Sequence, residues 1–186
     1  MKCIPASLLS IALLSCLPAI AAVEDPDWTE SSFAVNSGGS SHTGMAWAPD
    51  GSDRLFVLEK NGRVRVLSGA LTTGIGTWST FATMSPIHTN SECGLIDMAF
   101  DPDFANNHHV YFFVSISSSE QQILRYDAST NTGTDRTVIV AGLPTTGDNH
   151  DGGGIGFAAD GKLYWGVGDL GNRTGVDGDL SSLAAK

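Results

Sequence analysis

The sequence predicts an all-β fold, a β-propeller, and three observations carry that expectation. First, one cassette recurs three times: Gly44-Met45-Ala46-Trp47-Ala48-Pro49-Asp50-Gly51, then Asp97-Met98-Ala99-Phe100-Asp101-Pro102-Asp103-Phe104, then Gly154-Ile155-Gly156-Phe157-Ala158-Ala159-Asp160-Gly161. Each copy reads apolar, small, aromatic, then a turn with Asp, and the copies recur about every 55 residues, the repeat length of a propeller blade. Second, a run of β-branched and aromatic residues follows each cassette, a composition that suits a half-buried pleated surface. Third, Gly is 22 of 186 residues and no stretch keeps a helical period, so the glycines belong in turns between many short elements.

After the first cassette, Leu55-Phe56-Val57-Leu58 reads as a strand, and Asn61-Gly62 turns the chain into Val64-Arg65-Val66-Leu67, since Asn-Gly is a favoured hairpin dipeptide. After the second, Val110-Tyr111-Phe112-Phe113-Val114 is a strand, a polar loop from Ser117 to Gln121 reverses it, and Ile123-Leu124-Arg125-Tyr126 returns. Thr137-Val138-Ile139-Val140 makes a fourth strand, and Leu163-Tyr164-Trp165-Gly166-Val167 follows the third cassette. Four short strands per repeat form small sheets that stack around an axis and leave only short edges unpaired. A β-sandwich would not need one turn cassette to recur at near-constant spacing. About three blades fit in this length, and closed rings have four to eight. Residues 23–186 are therefore expected to be the N-terminal part of a longer propeller, inactive as a fragment.

The charge balance excludes some partners. Ten Lys and Arg against 20 Asp and Glu give a net charge of −10, which argues against a nucleic-acid partner and against anionic lipid surfaces. Residues 1–22 open with Lys2, run apolar from Ile4 to Leu17 and end on Ala19, Ala21 and Ala22. That pattern predicts a secretory signal peptide, hence an exported, periplasmic or extracellular protein. The apolar run is too short for a membrane span. Lipoprotein processing at Cys16 is the alternative, but residues 17–22 stay apolar where lipoproteins turn polar. Cleavage removes Cys3 and Cys16, leaving Cys93 alone. An internal disulfide or a zinc site built of thiolates alone is then impossible, and Cys93 reads as a small buried residue.

The chemistry concentrates in Asp148-Asn149-His150-Asp151-Gly152-Gly153-Gly154 and in Gly168-Asp169-Leu170-Gly171-Asn172. His150 precedes one strand and Asp169 follows the next. Two antiparallel strands joined by a tight turn return the chain to its starting end, so the two side chains are expected to meet there. A carboxylate beside an imidazole orients it and raises its basicity, and imidazole is the side chain suited to proton transfer near neutrality. Gly152, Gly153 and Gly154 would let a large flat group approach the backbone. A plain turn with an exposed His reads equally well from spacing alone.

Three stretches then add a resemblance: Pro49 to Val64; Glu92-Cys93-Gly94-Leu95 running into Met98 to Phe104 and Val110-Tyr111; and His150 through Asp160-Gly161-Lys162-Leu163-Tyr164 to Gly168-Asp169. In this order they resemble the soluble glucose/sorbosone dehydrogenase family, which includes the PQQ-dependent aldose dehydrogenases. The resemblance implies a six-bladed propeller with PQQ at the mouth of the central channel and Ca²⁺ polarising its quinone. It also implies an aldose substrate oxidised to its lactone and an external electron acceptor. By motif position, His150 resembles the catalytic base and Asp169 the carboxylate that holds it. Glu92 resembles a residue on the substrate and cofactor side, Asn149 and Thr174 fall near the expected sugar site, and Gly152 to Gly154 near the cofactor. Gly154 departs from the family, which often has Arg or another polar residue there. The residues that grip the PQQ carboxylates and the Ca²⁺ ligands belong to later blades, so no metal ligand is expected in this chain. A non-catalytic propeller that binds a carbohydrate or a protein is the competing class, because fold alone does not decide function.

The remaining candidates carry less. His108-His109 reads as an exposed turn rather than a metal pair, since adjacent strand positions point to opposite faces. His42 and His88 have no recognisable partners. Asp169, Asn172, Asp177 and Asp179 read as a solvated acidic loop, and their spacing does not fit an EF-hand.

Overall fold

The architecture is taken from a computed structural model, which describes residues 25–28, 41–73, 75–146 and 148–171. Residues 25–28 form a turn of their own, in which the Trp28 N–H donates to the Asp25 carbonyl at 3.1 Å. Ten strands and two single helical turns follow: β1 His42–Trp47, β2 Arg54–Glu59, β3 Arg63–Ser68, α1 Ala70–Thr73, β4 Thr77–Thr83, β5 Leu95–Phe100, α2 Phe104–Asn107, β6 His109–Ser117, β7 Glu120–Asp127, β8 Thr134–Pro144, β9 Gly152–Phe157 and β10 Leu163–Val167. They form sheets of order β1-β2-β3-β4 and β5-β6-β7-β8 and a two-stranded β9-β10 sheet. Every pairing is antiparallel. The chain is therefore all-β, with two complete propeller blades and a pair of strands equivalent to the first half of a third.

The recurring cassette is the first strand of each blade. Met45 pairs with Val57, Met98 with Phe112 and Ile155 with Trp165, the same place in each sheet. Its Asp closes the turn into the second strand: Asp50, Asp101 and Asp160 each accept the N–H two residues on, at 2.9–3.0 Å. Asp does this well because its short carboxylate imitates a backbone turn. In the second cassette the turn residue is Asp101, two positions before the Asp that aligns with Asp50.

The sequence did not announce β4. In Thr77–Thr83 only Phe81 is buried, so this outer strand lacks the apolar run that marks β2 and β6.

Blades pack face to face through alternate side chains. Phe56, Leu58, Val64, Val66 and Phe81 of the first blade meet Met98, Val110, Phe112, Leu124 and Tyr126 of the second in one core. Phe113, Ile123 and Leu143 point the other way, against Val167, with Ile155 and Leu163 beside them. Adjacent residues on a strand face opposite sides, so β6 serves both cores with Phe112 and Phe113. First strands also lie beside one another, β5 between β1 and β9. Asp97 joins two of them, its Oδ1 accepting the Met98 N–H at 2.8 Å and its Oδ2 the Ile155 N–H at 3.1 Å. Buried Arg54 ties the first blade to the loop after β7: its guanidinium donates to the Ala128 carbonyl at 2.7 Å and the Thr130 carbonyl at 3.0 Å, and pairs with Asp50 at 2.8 Å. Among the described residues, no helix is long and apolar enough to cross a membrane.

Candidate functional site

Two loops build the site, residues 88–94 leading into β5 and residues 148–151 leading into β9. The β9-β10 hairpin returns residues 168–170 to the same end. The Glu92 N–H donates to the Asp148 carbonyl at 3.0 Å, and the Leu170 N–H to the His150 carbonyl at 3.1 Å. His150 is held at three points. Its N–H donates to Glu92 Oε2 at 2.5 Å, its carbonyl accepts from Leu170, and its ring Nδ1 lies 2.8 Å from Asp169 Oδ1. Asp169 Oδ1 also accepts the Gly171 N–H at 3.0 Å, which fixes the carboxylate.

The backbone here is unusual. Asp148, His150 and Leu170 have φ of 63°, 58° and 59°. The left-handed region disfavours residues with a Cβ, and such positions cluster where function requires them. The contacts on His150 hold it there and leave 45% of its side chain exposed, against 25% for Asp169. A proton on Nδ1 shared with Asp169 leaves the Nε2 lone pair as the basic position.

Behind the loop lies a buried polar layer. Asp151 is 1% exposed, accepts the Thr145 hydroxyl on Oδ1, and has the Cys93 Sγ 3.0 Å from Oδ2. Cys93 is fully buried, as its sequence context implies, and burial together with the Asp151 carboxylate pushes its thiol up to about 12. Nearer the surface, His88 Nε2 contacts Asp148 Oδ1 at 2.5 Å and Asn90 donates to Asp148 Oδ2 at 3.3 Å. The His88 contact, ahead of the Asn90 bond, holds the Asp148 carboxyl below its ordinary range.

Several sequence expectations change here. His88 does have a partner, Asp148, which 60 positions in sequence concealed. His108 is not an exposed turn residue; it is half-buried, closes α2 in the left-handed conformation and sets its ring edge-on to Phe104. Glu92 places one carboxylate oxygen on the His150 backbone. Asn149 Oδ1 accepts the Ser91 hydroxyl, tying the two loops again. Thr174, Asn172, Asp177 and Asp179 lie outside the described residues.

The glycines divide. A Cβ on Gly152 would sit 2.6 Å from the Gly166 carbonyl oxygen and the Gly168 nitrogen. One on Gly153 would sit 2.6 Å from Ile96 Cγ2. At both positions the protein itself fills the space. A Cβ on Gly154 would meet nothing within 4 Å among the described residues, as at Gly156 on the same face of β9, opposite the face packed on Ile96 and Phe113.

Residues 40–184 match the sequence profile of the glucose/sorbosone dehydrogenases. The chain belongs to the glucose/sorbosone dehydrogenase family. Among members of known description, quinoprotein glucose dehydrogenase B of Acinetobacter calcoaceticus is 29% identical over 195 residues, covering 89% of this chain and 39% of its own. The PQQ-bound aldose sugar dehydrogenase of Streptomyces coelicolor superposes with a TM-score of 0.66 at 29% identity, over 77% of this chain and 42% of its own. An oxidoreductase of Thermus thermophilus, described as a candidate glucose dehydrogenase, gives 0.67 at 29% identity, over 79% and 42%. The chain spans about two fifths of the length of these relatives.

Proposed function

We propose that the full-length protein to which this chain belongs is an exported, PQQ-dependent dehydrogenase that oxidises an aldose at its anomeric carbon to the lactone, with His150 as the base. The His150–Asp169 contact of 2.8 Å carries this reading, supported by membership of a family whose named relatives include a quinoprotein glucose dehydrogenase and a PQQ-bound aldose sugar dehydrogenase. When bound, PQQ supplies the two-electron acceptor that protein side chains lack, with Ca²⁺ as its Lewis acid and an external carrier to reoxidise it. The planar group is placed beside Gly154, where the described residues leave space on the outer face of β9.

The chain's own residues then divide the work. His150 Nε2 takes the proton of the sugar's anomeric hydroxyl. Asp169 accepts the Nδ1–H, keeps Nε2 basic and stabilises the imidazolium that forms. Glu92 holds the His150 backbone so that the ring keeps its direction, and Asn149 flanks the sugar.

The test is stopped-flow reduction of the Ca²⁺/PQQ-reconstituted full-length protein by aldoses. Removing a general base typically costs about 10²–10⁴-fold, so His150→Ala should slow reduction by that factor while PQQ still binds. Asp169→Asn should slow it less, since the imidazole remains. Wild-type rates in His150→Ala would remove it as the base, and no reduction by any aldose in the wild type would sink the enzyme reading.

A further inference from the structure

A second constellation sits behind the His150 loop. His88 Nε2, Cys93 Sγ and an Asp148 carboxylate oxygen all lie within 4.8 Å of one another. They come from two loops, and each brings a different donor: imidazole nitrogen, sulfur and carboxylate oxygen. We propose that His88, Cys93 and Asp148 form a binding site for a borderline-soft divalent cation, Zn²⁺ by its ligand set, which staples residues 88–94 to residues 148–151.

The spacing suits such an ion. Zn²⁺ sits about 2.0–2.3 Å from N, O and S ligands in tetrahedral sites, so its ligands lie roughly 3–4 Å apart. Cys93 Sγ is 4.0 Å from Asp148 Oδ1, and His88 Nε2 is 2.5 Å from the same oxygen. The cation takes the place of the hydrogen shared by that last pair, and the ring and carboxylate move apart by under about 1 Å to admit it.

Charge favours it too. Asp151 is 1% exposed, and its two oxygens accept from neutral donors, the Thr145 hydroxyl and the Cys93 thiol. Among the described residues, no Lys, Arg or His pairs with it in an ion pair. A buried carboxylate is normally paired or bound near a metal. A cation on Cys93 Sγ would stand one atom away from Asp151 and supply the missing positive charge. Coordination releases the thiol proton to solvent, and the cation then offsets the charge of the thiolate and of the Asp151 carboxylate beside it, whose Oδ2 lies 3.0 Å from the sulfur.

The donor types choose the metal. Thiolate with imidazole and carboxylate selects Zn²⁺ over Ca²⁺ or Mg²⁺, which take oxygen donors. The site is therefore separate from any Ca²⁺ that assists a quinone.

Cobalt substitution tests this without sugar or PQQ, so its outcome is independent of the dehydrogenase reading. The full-length apo protein is titrated with Co²⁺ and followed by absorption. The expected result is a thiolate-to-cobalt charge-transfer band that saturates at one ion per chain and is abolished by added Zn²⁺. Cys93→Ser should lose the band. His88→Ala, which removes the imidazole and leaves the thiolate, should keep the band at weaker affinity. Absence of the band in folded wild-type protein at stoichiometric cobalt would overturn the proposal, as would a band that survives in Cys93→Ser.

Discussion

Gly153 and Gly154 are neighbours in one strand, yet replacing each with Ala should have unequal consequences. Gly153 has φ of +118°, a conformation that costs a residue with a Cβ about 1–3 kcal/mol. Its new methyl would also sit 2.6 Å from Ile96 Cγ2, 3.0 Å from Ile96 Cβ and 3.3 Å from Phe113 Cδ1. Ile96 cannot swing clear, because the atoms struck are at its branch point and not at a flexible end. Overpacking of that kind adds about 1–3 kcal/mol. Gly153→Ala should therefore destabilise the full-length apo protein by about 2–6 kcal/mol. Gly154 has no positive φ and no described neighbour within 4 Å of a new Cβ, so Gly154→Ala should cost less than Gly153→Ala. Urea unfolding followed by circular dichroism reads both values. Ile96→Ala placed in the Gly153→Ala background should recover the overpacking part and leave the backbone part, which a double-mutant cycle separates. If Gly154 faces the cofactor, Gly154→Ala weakens PQQ binding at that smaller cost in stability. Equal losses for the two variants would refute the division of the glycines, as would a neutral Gly153→Ala.

Phe56 is fully buried, with its ring 5.1 Å from Phe81 and 5.2 Å from Phe100 in edge-on contacts, so Phe56→Ala should cost about 3–5 kcal/mol in urea unfolding; a loss under about 1 kcal/mol would show that the two blades do not share that core. The Asp127 carboxyl is held below its ordinary value by the Ser129 hydroxyl and then by the Ser129 N–H. Its folded state binds fewer protons than the unfolded chain, so this contribution is present above the unfolded value near 3.8 and fades as pH falls below it through the folded value. Unfolding measured from about pH 5 to about pH 2 should show a shallower acid loss in Ser129→Ala, and identical profiles would remove Asp127 from the account.

The parts of the fold that bury apolar surface on both faces were legible in the sequence. Strands β2 and β6 are continuous apolar runs because each lies between two packed faces, and the cassettes mark β1, β5 and β9 because the same turn chemistry starts each blade. Strand β4 was hidden because it lies at the outside with one buried side chain, Phe81. The His150–Asp169 pair was legible for a local reason: a hairpin brings its two ends together. Contacts between loops were not. Glu92 with the His150 backbone, Cys93 with Asp151 and His88 with Asp148 are each separated by 58 or 60 positions. They join irregular segments from successive blades, where no side-chain period exists to read.

Asp97 reaches from the first strand of one blade to the backbone of the first strand of the next, at Ile155. Together with the apolar core of Phe113 and Val167, that bond helps set how far the β9-β10 sheet is turned relative to the β5-β8 sheet. A ring of blades closes only when such turns add to one full revolution, so an angular error at one joint must be absorbed by all the others. Lengthening Asp97 to Glu would open this joint by the reach of one methylene. The discrepancy would be felt where the first and last blades of a closed ring meet, far from residue 97 itself.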